Sequence, residues 1–261
     1  IGPEKGEMAC GEFGEGKMSS PRQIYIYLKS YFNKKNYVKK KNWKAIVTTG
    51  PTREYIDPVR YISNESSGKQ GYEIAIALHK LGITTTLITG PSNLVSPKGL
   101  KVKKITSAEE MLGEVKKLLP VDLAVCAAAV TDFKPADKYK NKIKKENGDF
   151  KSINLVKNVD ILEYISKNNK HRPRLVAGFS AETEDVTKNS INKIKRKHCD
   201  LIFANDVSKK SIGFNSDYNK ITAIDKKGNI KIIPKNKKSF IANKIADILL
   251  DKLLIDDRNI N

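Results

Sequence analysis

The fold is decided by residues 44–91, KAIVTTGPTREYIDPVRYISNESSGKQGYEIAIALHKLGITTTLITGP. AIVTT (45–49) is a short β-branched apolar run, which reads as a buried strand by length and composition. The apolar spacing in YEIAIALHKLG predicts a helix over 68–82, ending near Gly82. TTTLIT (84–89) is a second buried strand, and Gly90-Pro91 breaks it. Strand, helix and strand in this order make a βαβ unit with parallel strands.

The alternation continues in both directions. KVKKIT (101–106) is a weaker strand. Ser107 and Glu110 form a capping box for a helix over 108–119, which Pro120 ends. DLAVCAA (122–128) is another buried strand, followed later by RLVAGF (174–179), a helix over 186–197, and DLIFAN (200–205). ITAID-KKGN-IKII (221–233) reads as a hairpin, and 237–254 as a helix with Ile241, Ile245, Ile248 and Leu249 on one face. The predicted fold is α/β: a doubly wound, mostly parallel Rossmann-like sheet with helices on both faces and a small C-terminal β-hairpin. In the usual strand order the first and fourth strands are neighbours at the switch point. A ligand then lies beyond their carboxyl ends, where the loops from Gly50 and Ala127 begin.

Upstream, residues 1–20 are glycine-rich and polar and read as loop. Ile24, Leu28 and Phe32 predict a helix over 21–36, with Ser20 as cap and Pro21 at its first position. Residues 37–44 read as a lysine-rich linker. The expected division is 1–40, a main domain over 41–255, and a tail over 256–261; starting at Ile1, the chain reads as a piece of a longer polypeptide.

A chain of 261 residues suffices for one large α/β domain. Its formal net charge of +20 raises the question of nucleic acid, but the excess is lysine spread from end to end, as on solvated surfaces. That field also suits anionic small substrates. Cys10, Cys126 and Cys199 are far apart, without a CxxC or metal-ligand spacing, which argues against a disulfide framework or zinc site. No apolar run approaches the ~18 residues of a membrane span. No secretory signal is visible, and the expected compartment is cytoplasmic.

The first crevice loop, Gly50 to Gly71, is long for a βα connection, and long loops in compact domains are mostly functional. It is not a Walker A loop: Ser63 stands where the first glycine belongs and Gln70 where Ser or Thr belongs. What remains is a helix amino terminus with Ser66, Ser67 and Gly68, a candidate anion cradle in which one serine is also a candidate N-cap. Arg53, Asp57 and Arg60 either stiffen the loop as ion pairs or touch substrate. Lys69 reads as a helix-surface lysine, and no phosphate motif explains Asn64. In the second loop, AAAVTDFKPADKYKNKIKK (127–145), the alanines permit close approach by a flat ligand such as a base, or merely accommodate helix packing. Asp132 could hold a divalent ion beside phosphates, or cap a turn. KYKNKIKK is either a solvated face or a neutraliser of a triphosphate.

GPTREYIDPVRYISNESSGKQG, AAAVTDFKP with NKIKK, LVKNVDIL, VAGFSAET and DLIFANDVS…GFNSD occur in this order. Together they resemble the bacterial phosphopantothenate–cysteine ligase (phosphopantothenoylcysteine synthetase) family, the carboxyl-terminal half of a bifunctional coenzyme A biosynthesis protein, over roughly residues 44–254. GEMACGEFGEGKMSSPRQI resembles the end of the flavin-dependent decarboxylase half, where the cysteine matching Cys10 is the proton donor. FMN is expected only for that other half, and Cys10 is expected to be idle here.

The resemblance implies a two-step ligation of cysteine to 4′-phosphopantothenate. The carboxylate attacks the α-phosphate of CTP, giving an acyl-cytidylate and pyrophosphate, and the cysteine amine displaces CMP. Such chemistry needs positive charge and Mg2+ rather than a protein nucleophile. By the same resemblance Lys142 serves cytidylate formation, Asn64 binds the acyl-cytidylate, and Asp132 contacts the nucleotide or its metal. The CTP site draws on Cys126, Ala127 and Ala128, on Asn158, Val159, Asp160 and Ile161, and on Phe179, Lys193 and Lys197. Lys193 and Lys197, four apart in a helix, share a face. Val159 departs from the family's usual proline, which is expected to loosen that loop. The family's usual assembly implies a homodimer. Residues 134–150 are expected to form a flap. Two other readings are an NAD(P)-dependent reductase, which the glycine-poor first loop disfavours, and a basic nucleic-acid-binding module. KYKNKIKK offers that module only Tyr139 for stacking.

Overall fold

The computed structural model describes residues 2–144, 152–182, 185–206 and 216–260. The chain divides at Asn42 and Trp43 into two units. In the first, β1 (Glu4–Glu7) and β2 (Phe13–Lys17) pair antiparallel, so the stretch expected to be loop is a hairpin. Its turn is closed by Gly11 N–H to Met8 O at 2.8 Å, with Gly11 at φ 81°. Glycines inside both strands hide the alternation by which strands are recognised. Helix α1 (Pro21–Lys41) starts as predicted, with the Ser20–Gln23 capping box and Pro21 at N1, but runs through the expected linker. Lys39, Lys40 and Lys41 suit the negative end of the helix dipole, and Asn42 ends it in the left-handed region at φ 51°.

The second unit runs β3 (Lys44–Thr49), β4 (Arg53–Tyr55), β5 (Tyr61–Ser63), α2 (Lys69–Lys80), β6 (Thr84–Thr89), β7 (Lys101–Lys104) and α3 (Ala108–Leu118). It continues with β8 (Leu123–Cys126), β9 (Phe133–Pro135), β10 (Leu155–Lys157), α4 (Ile161–Ser166), β11 (Leu175–Glu182) and α5 (Val186–Lys197). It closes with β12 (Leu201–Asp206), β13 (Tyr218–Asp225), β14 (Ile230–Lys237) and α6 (Lys238–Ile260), which runs on through most of the expected tail. Eight strands form one sheet in the order β14-β13-β12-β11-β8-β3-β6-β7. From β7 to β12 all pairs are parallel; β13 and β14 add an antiparallel edge, so the predicted hairpin is part of the main sheet.

The strands are buried on both faces. Ile46, Ile88, Ala124, Val176 and Ile202 join one core cluster with Met111 and Val115 of α3, Ile161 and Ile165 of α4, and Ile194 of α5. Their neighbours Val47, Leu87, Val125, Ala177 and Phe203 therefore point to the other face, and all are fully buried. That face is covered by α2 and α6, which pack on each other and on the sheet. Each large apolar side chain among them contributes about 1.5–3 kcal/mol of burial free energy. This continuous apolarity explains why the strands read as unbroken runs rather than alternating ones.

Candidate functional site

The first and fourth strands of the βα series, β3 and β8, are neighbours, with Thr48 opposite Cys126 as their last pair. The pairing continues beyond the strand ends: Ala127 N–H donates to Thr48 O at 3.0 Å and Ala129 N–H to Gly50 O at 2.9 Å. The two crevice loops therefore leave the sheet stitched together. In the first loop β4 and β5 form a small hairpin, and Ser63 Oγ donates to Thr52 O at 2.7 Å. Asn64, exposed, then reaches across and donates from Nδ2 to Val130 O of the second loop at 3.0 Å.

Neither Ser66 nor Ser67 is the N-cap of α2. Gly68 is, at φ 74°, because a Cβ there would lie 3.1 Å from the Gly50 backbone. The serine hydroxyls accept instead from Gly68 N–H at 3.2 Å and Lys69 N–H at 3.5 Å, closing the turn on itself. Thr49 Oγ1, at the end of β3, donates to Gly68 O at 2.7 Å and pins that turn to the sheet. At the start of α3, Ser107 Oγ accepts from Glu110 N–H as expected, but the Glu110 carboxylate takes Thr106 N–H rather than completing a box with Ser107.

Asp57 and Arg60 form the ion pair that the sequence left open, at 3.3 Å, and it does more than stiffen the first loop. Asp57, fully buried, accepts from Val59 and Arg60 N–H at 2.8 Å and from Ile143 N–H at 3.3 Å. Arg60 Nη2 donates to Ile143 O at 2.6 Å. Burial raises the Asp57 pKa, but the three backbone N–H groups and Arg60 outweigh it and hold the carboxyl below its usual range. The clasp fixes the chain next to Lys142. Arg53 lies over the Tyr61 ring instead, 4.6 Å from its centroid.

Of the expected flap, β9 and β10 pair antiparallel at the base, and Ala136 N–H donates to Asn154 O at 2.9 Å. Residues 145–150 lie outside the described residues, and with them Lys145 of KIKK. Lys142 is exposed and lines neither of the two cavities at the crevice.

The first cavity, ≈ 630 Å3, lies over β8 and β11 against α4 and α5. Cys126, Ala128, Asp132, Asn158 and Val159 line it, as do Asp160, Ile161, Phe179, Lys193 and Lys197. Ala127 does not; it faces the second cavity. Asn158 N–H donates to Asp132 O at 2.8 Å, and Asn158 Oδ1 accepts from Val159 N–H at 2.9 Å. A proline could not donate that bond, so Val159 adds a hydrogen bond to the turn that it was expected to loosen, and its side chain packs on the core. Asp160 caps α4, accepting from Glu163 N–H at 2.8 Å.

The charges here are partly paired. Lys193 Nζ donates to Phe179 O at 3.0 Å. Lys197 bridges Asp160 at 2.5 Å and Glu163 at 2.8 Å, so on the face it shares with Lys193 it is already held by two carboxylates. Burial pulls the Lys197 pKa down, but the two carboxylates leave it raised. Bonds from Lys167 and Lys197 hold Glu163 at about 2. For Cys126, burial first, then Cys199 and Asp160, push the thiol up to about 12, so it is no thiolate nucleophile at neutral pH. Sequence reasoning missed Arg196, Lys157, Thr48 and Thr131 in this lining. Arg196 had a positional signal, three residues from Lys193 on α5, and Thr131 and Lys157 lie inside the motifs AAAVTDFKP and LVKNVDIL, whereas Thr48 lies within a buried strand run that gave none.

The second cavity, ≈ 490 Å3, contains Asn64, the Ser66–Gly68 turn and Ala127. Lys69 lines it too and pairs with Asp217, so it is not merely a helix-surface lysine. Gln70, Asn219 and Lys238 were not anticipated. The two cavities share Ala128, Val130, Asp132, Phe179 and Lys193. Among the described residues no three His, Cys, Asp or Glu side chains cluster to hold a metal. Asp132 offers one carboxylate at the shared wall; a Mg2+ ion there would take its remaining oxygens from phosphates and water. No described helix is long and apolar enough to cross a membrane.

Residues 40–253 match the family described as DFP: DNA/pantothenate metabolism flavoprotein C-terminal domain. The chain is 41% identical over 250 residues to the coenzyme A biosynthesis bifunctional protein CoaBC of Haemophilus influenzae, covering 95% of this chain and 61% of that one. It is 41% identical over 246 residues to the same-named protein of Vibrio vulnificus, covering 94% and 60%. The chain thus spans about three fifths of the length of these curated relatives. Among solved structures, the C-terminal domain of a coenzyme A biosynthesis bifunctional protein CoaBC aligns with TM-score 0.68 and 32% identity, covering 82% of this chain and 96% of that domain.

Proposed function

The chain belongs to the DNA/pantothenate metabolism flavoprotein C-terminal domain family, and from that premise we propose that it ligates cysteine to 4′-phosphopantothenate with CTP, a step of coenzyme A biosynthesis. The substrate carboxylate attacks the α-phosphate of CTP, forming an acyl-cytidylate and releasing pyrophosphate. The amine of cysteine then attacks the acyl carbon, and CMP leaves as 4′-phosphopantothenoylcysteine forms. The observation that carries this reading is the pair of cavities meeting at one wall of Ala128, Val130, Asp132, Phe179 and Lys193. A nucleotide in the first and an acyl substrate in the second bring carboxylate and α-phosphate together there, and positioning of that kind accounts for much of such catalysis.

In this reading the Asn158–Ile161 turn reads the base through backbone groups, while Lys193, Arg196 and Lys197 gather the phosphates. Lys197 exchanges part of its Asp160 and Glu163 pairing for phosphate oxygens. Asp132 would hold a Mg2+ ion brought by the nucleotide, and the ion would supply neutralisation of phosphate charge. Asn64, tied to Val130 at the shared wall, orients the acyl-cytidylate for the amine. Lys142, held near the crevice by the Asp57–Arg60 clasp, stabilises charge developing as pyrophosphate leaves. The protonated thiol of Cys126 fits a mechanism without a protein nucleophile. The assembly proposed is a homodimer working in the cytoplasm, with FMN chemistry confined to the other half of the longer relatives.

The test is to mix the chain with CTP, Mg2+, phosphopantothenate and cysteine and to measure pyrophosphate and CMP. Release that depends on phosphopantothenate and prefers CTP to ATP is expected. No release with either nucleotide would sink the ligase reading.

A further inference from the structure

Lys238, the first residue of α6, is only 4% exposed, yet it lines the second cavity. Its backbone is anchored at both ends: its N–H donates to Asp217 O at 2.9 Å, and its carbonyl accepts from Gln70 Nε2 at 3.3 Å. Gln70 Oε1 in turn accepts from the fully buried Asn219 at 3.3 Å. These contacts fix the start of α6 against the first turn of α2, where Ser66–Gly68 and Lys69 face the same cavity. Keeping a lysine charged at such a site is unfavourable, since burial and the neighbouring Lys69, only partly offset by Asp217, pull its pKa down to about 8. A buried ammonium brought towards a second ammonium is an arrangement that an anion, and above all a dianion, stabilises.

The position in the cavity separates two ends. The shared wall, where Asp132 and Lys193 stand, is where the acyl carboxylate must react; Lys238 and Lys69 line the second cavity but not the first. We propose that Lys238 is a specificity-determining residue that takes the phosphomonoester of the acyl substrate between itself and the Ser66–Gly68 turn, and so selects the phosphorylated over the unphosphorylated pantothenate. This rests on the ligase reading above. Lys69, balanced by Asp217, supplies the second cation. The unphosphorylated analogue brings no charge to this end of the cavity, and a site built for a charged group rejects the compound that lacks it.

The experiment has two arms on the full chain, comparing wild type with Lys238→Met and Lys238→Arg. Calorimetric titration with inorganic phosphate needs no turnover: wild type binds, Lys238→Arg retains binding, and Lys238→Met loses it. In steady state, Lys238→Met raises KM for phosphopantothenate about 10- to 100-fold, the worth of one charge-assisted hydrogen bond, and leaves KM for CTP and for unphosphorylated pantothenate in place. Thermal melts establish that Lys238→Met is folded; should it unfold, Lys238→Gln takes its place in both arms. Phosphate binding unchanged in a folded neutral variant overturns the proposal, as does an equal loss for both pantothenates or failure of wild type to bind phosphate. Phosphate binding that depends on Lys238 without any CTP turnover instead overturns the ligase reading and leaves the anion site standing.

Discussion

Gly71 is a place where an ordinarily stabilising substitution is expected to fail. It lies in the first turn of α2, and alanine is favoured over glycine in a helix interior by about 1 kcal/mol. A Cβ at Gly71 would come within 2.5 Å of Thr49 Cβ and closer still to Thr49 Oγ1. Thr49 is fully buried at the end of β3, and its hydroxyl holds Gly68 O at 2.7 Å. Gly71→Ala must therefore push α2 from the sheet or turn Thr49 away from Gly68. Overpacking of this kind costs about 1–3 kcal/mol, and losing the Thr49–Gly68 bond about 1 kcal/mol more. Against the helix gain, the net is a loss of about 2 kcal/mol, or roughly 4–8 °C in Tm for a unit of this size. The displaced element carries Ser66–Gly68, so KM for phosphopantothenate should rise while KM for CTP moves little. Differential scanning calorimetry and steady-state kinetics read the two effects. A variant as stable as wild type, or more so, with unchanged KM for both substrates would refute the reasoning.

Three further outcomes are expected. Lys142→Gln blocks cytidylate formation; pyrophosphate appearing at the wild-type rate would make the lysine a surface charge only. Asn64→Asp lets acyl-cytidylate accumulate, and normal product with no intermediate trapped after acid quench would reject the role. Asp225 is mostly buried; burial raises its pKa, but Lys252 and Asn229 more than offset this and hold it at about 2 against 3.8 in the free side chain. Because the folded pKa is the lower one, its contribution of about 2 kcal/mol is present above pH 3.8 and is lost as pH falls towards 2. Asp225→Asn should lower neutral-pH stability and flatten the denaturant midpoint across that window; an unchanged acid slope would contradict it.

The parallel part of the sheet was legible because its central strands are buried on both faces and therefore announce themselves as apolar runs. AIVTT and DLAVCAA were recognisable as strands, and the strand–helix alternation made them neighbours at the switch point. The hairpin over Glu4–Lys17 and the last turns of α1 were not legible, the first because glycines interrupt its alternation, the second because lysines carry no apolar period. Much of the first cavity's lining was reached through motif resemblance rather than periodicity.

The amino-acid sequence alone determined the layer architecture, the two crevice loops and the motifs that mark the family, since these depend on local composition and spacing. Tertiary structure decided which charges meet. Asp57 and Ile143 are 86 residues apart, and Gln70 and Lys238 are 168 apart. No local pattern encodes such contacts; they follow from where the sheet delivers each loop. Lys238 lies at the start of the helix read over 237–254 and belongs to the chain-wide lysine excess that reads as solvated surface. Only the packing of α6 on α2 buries it in a cavity, and burial is what turns an ordinary lysine into a candidate anion-selecting group.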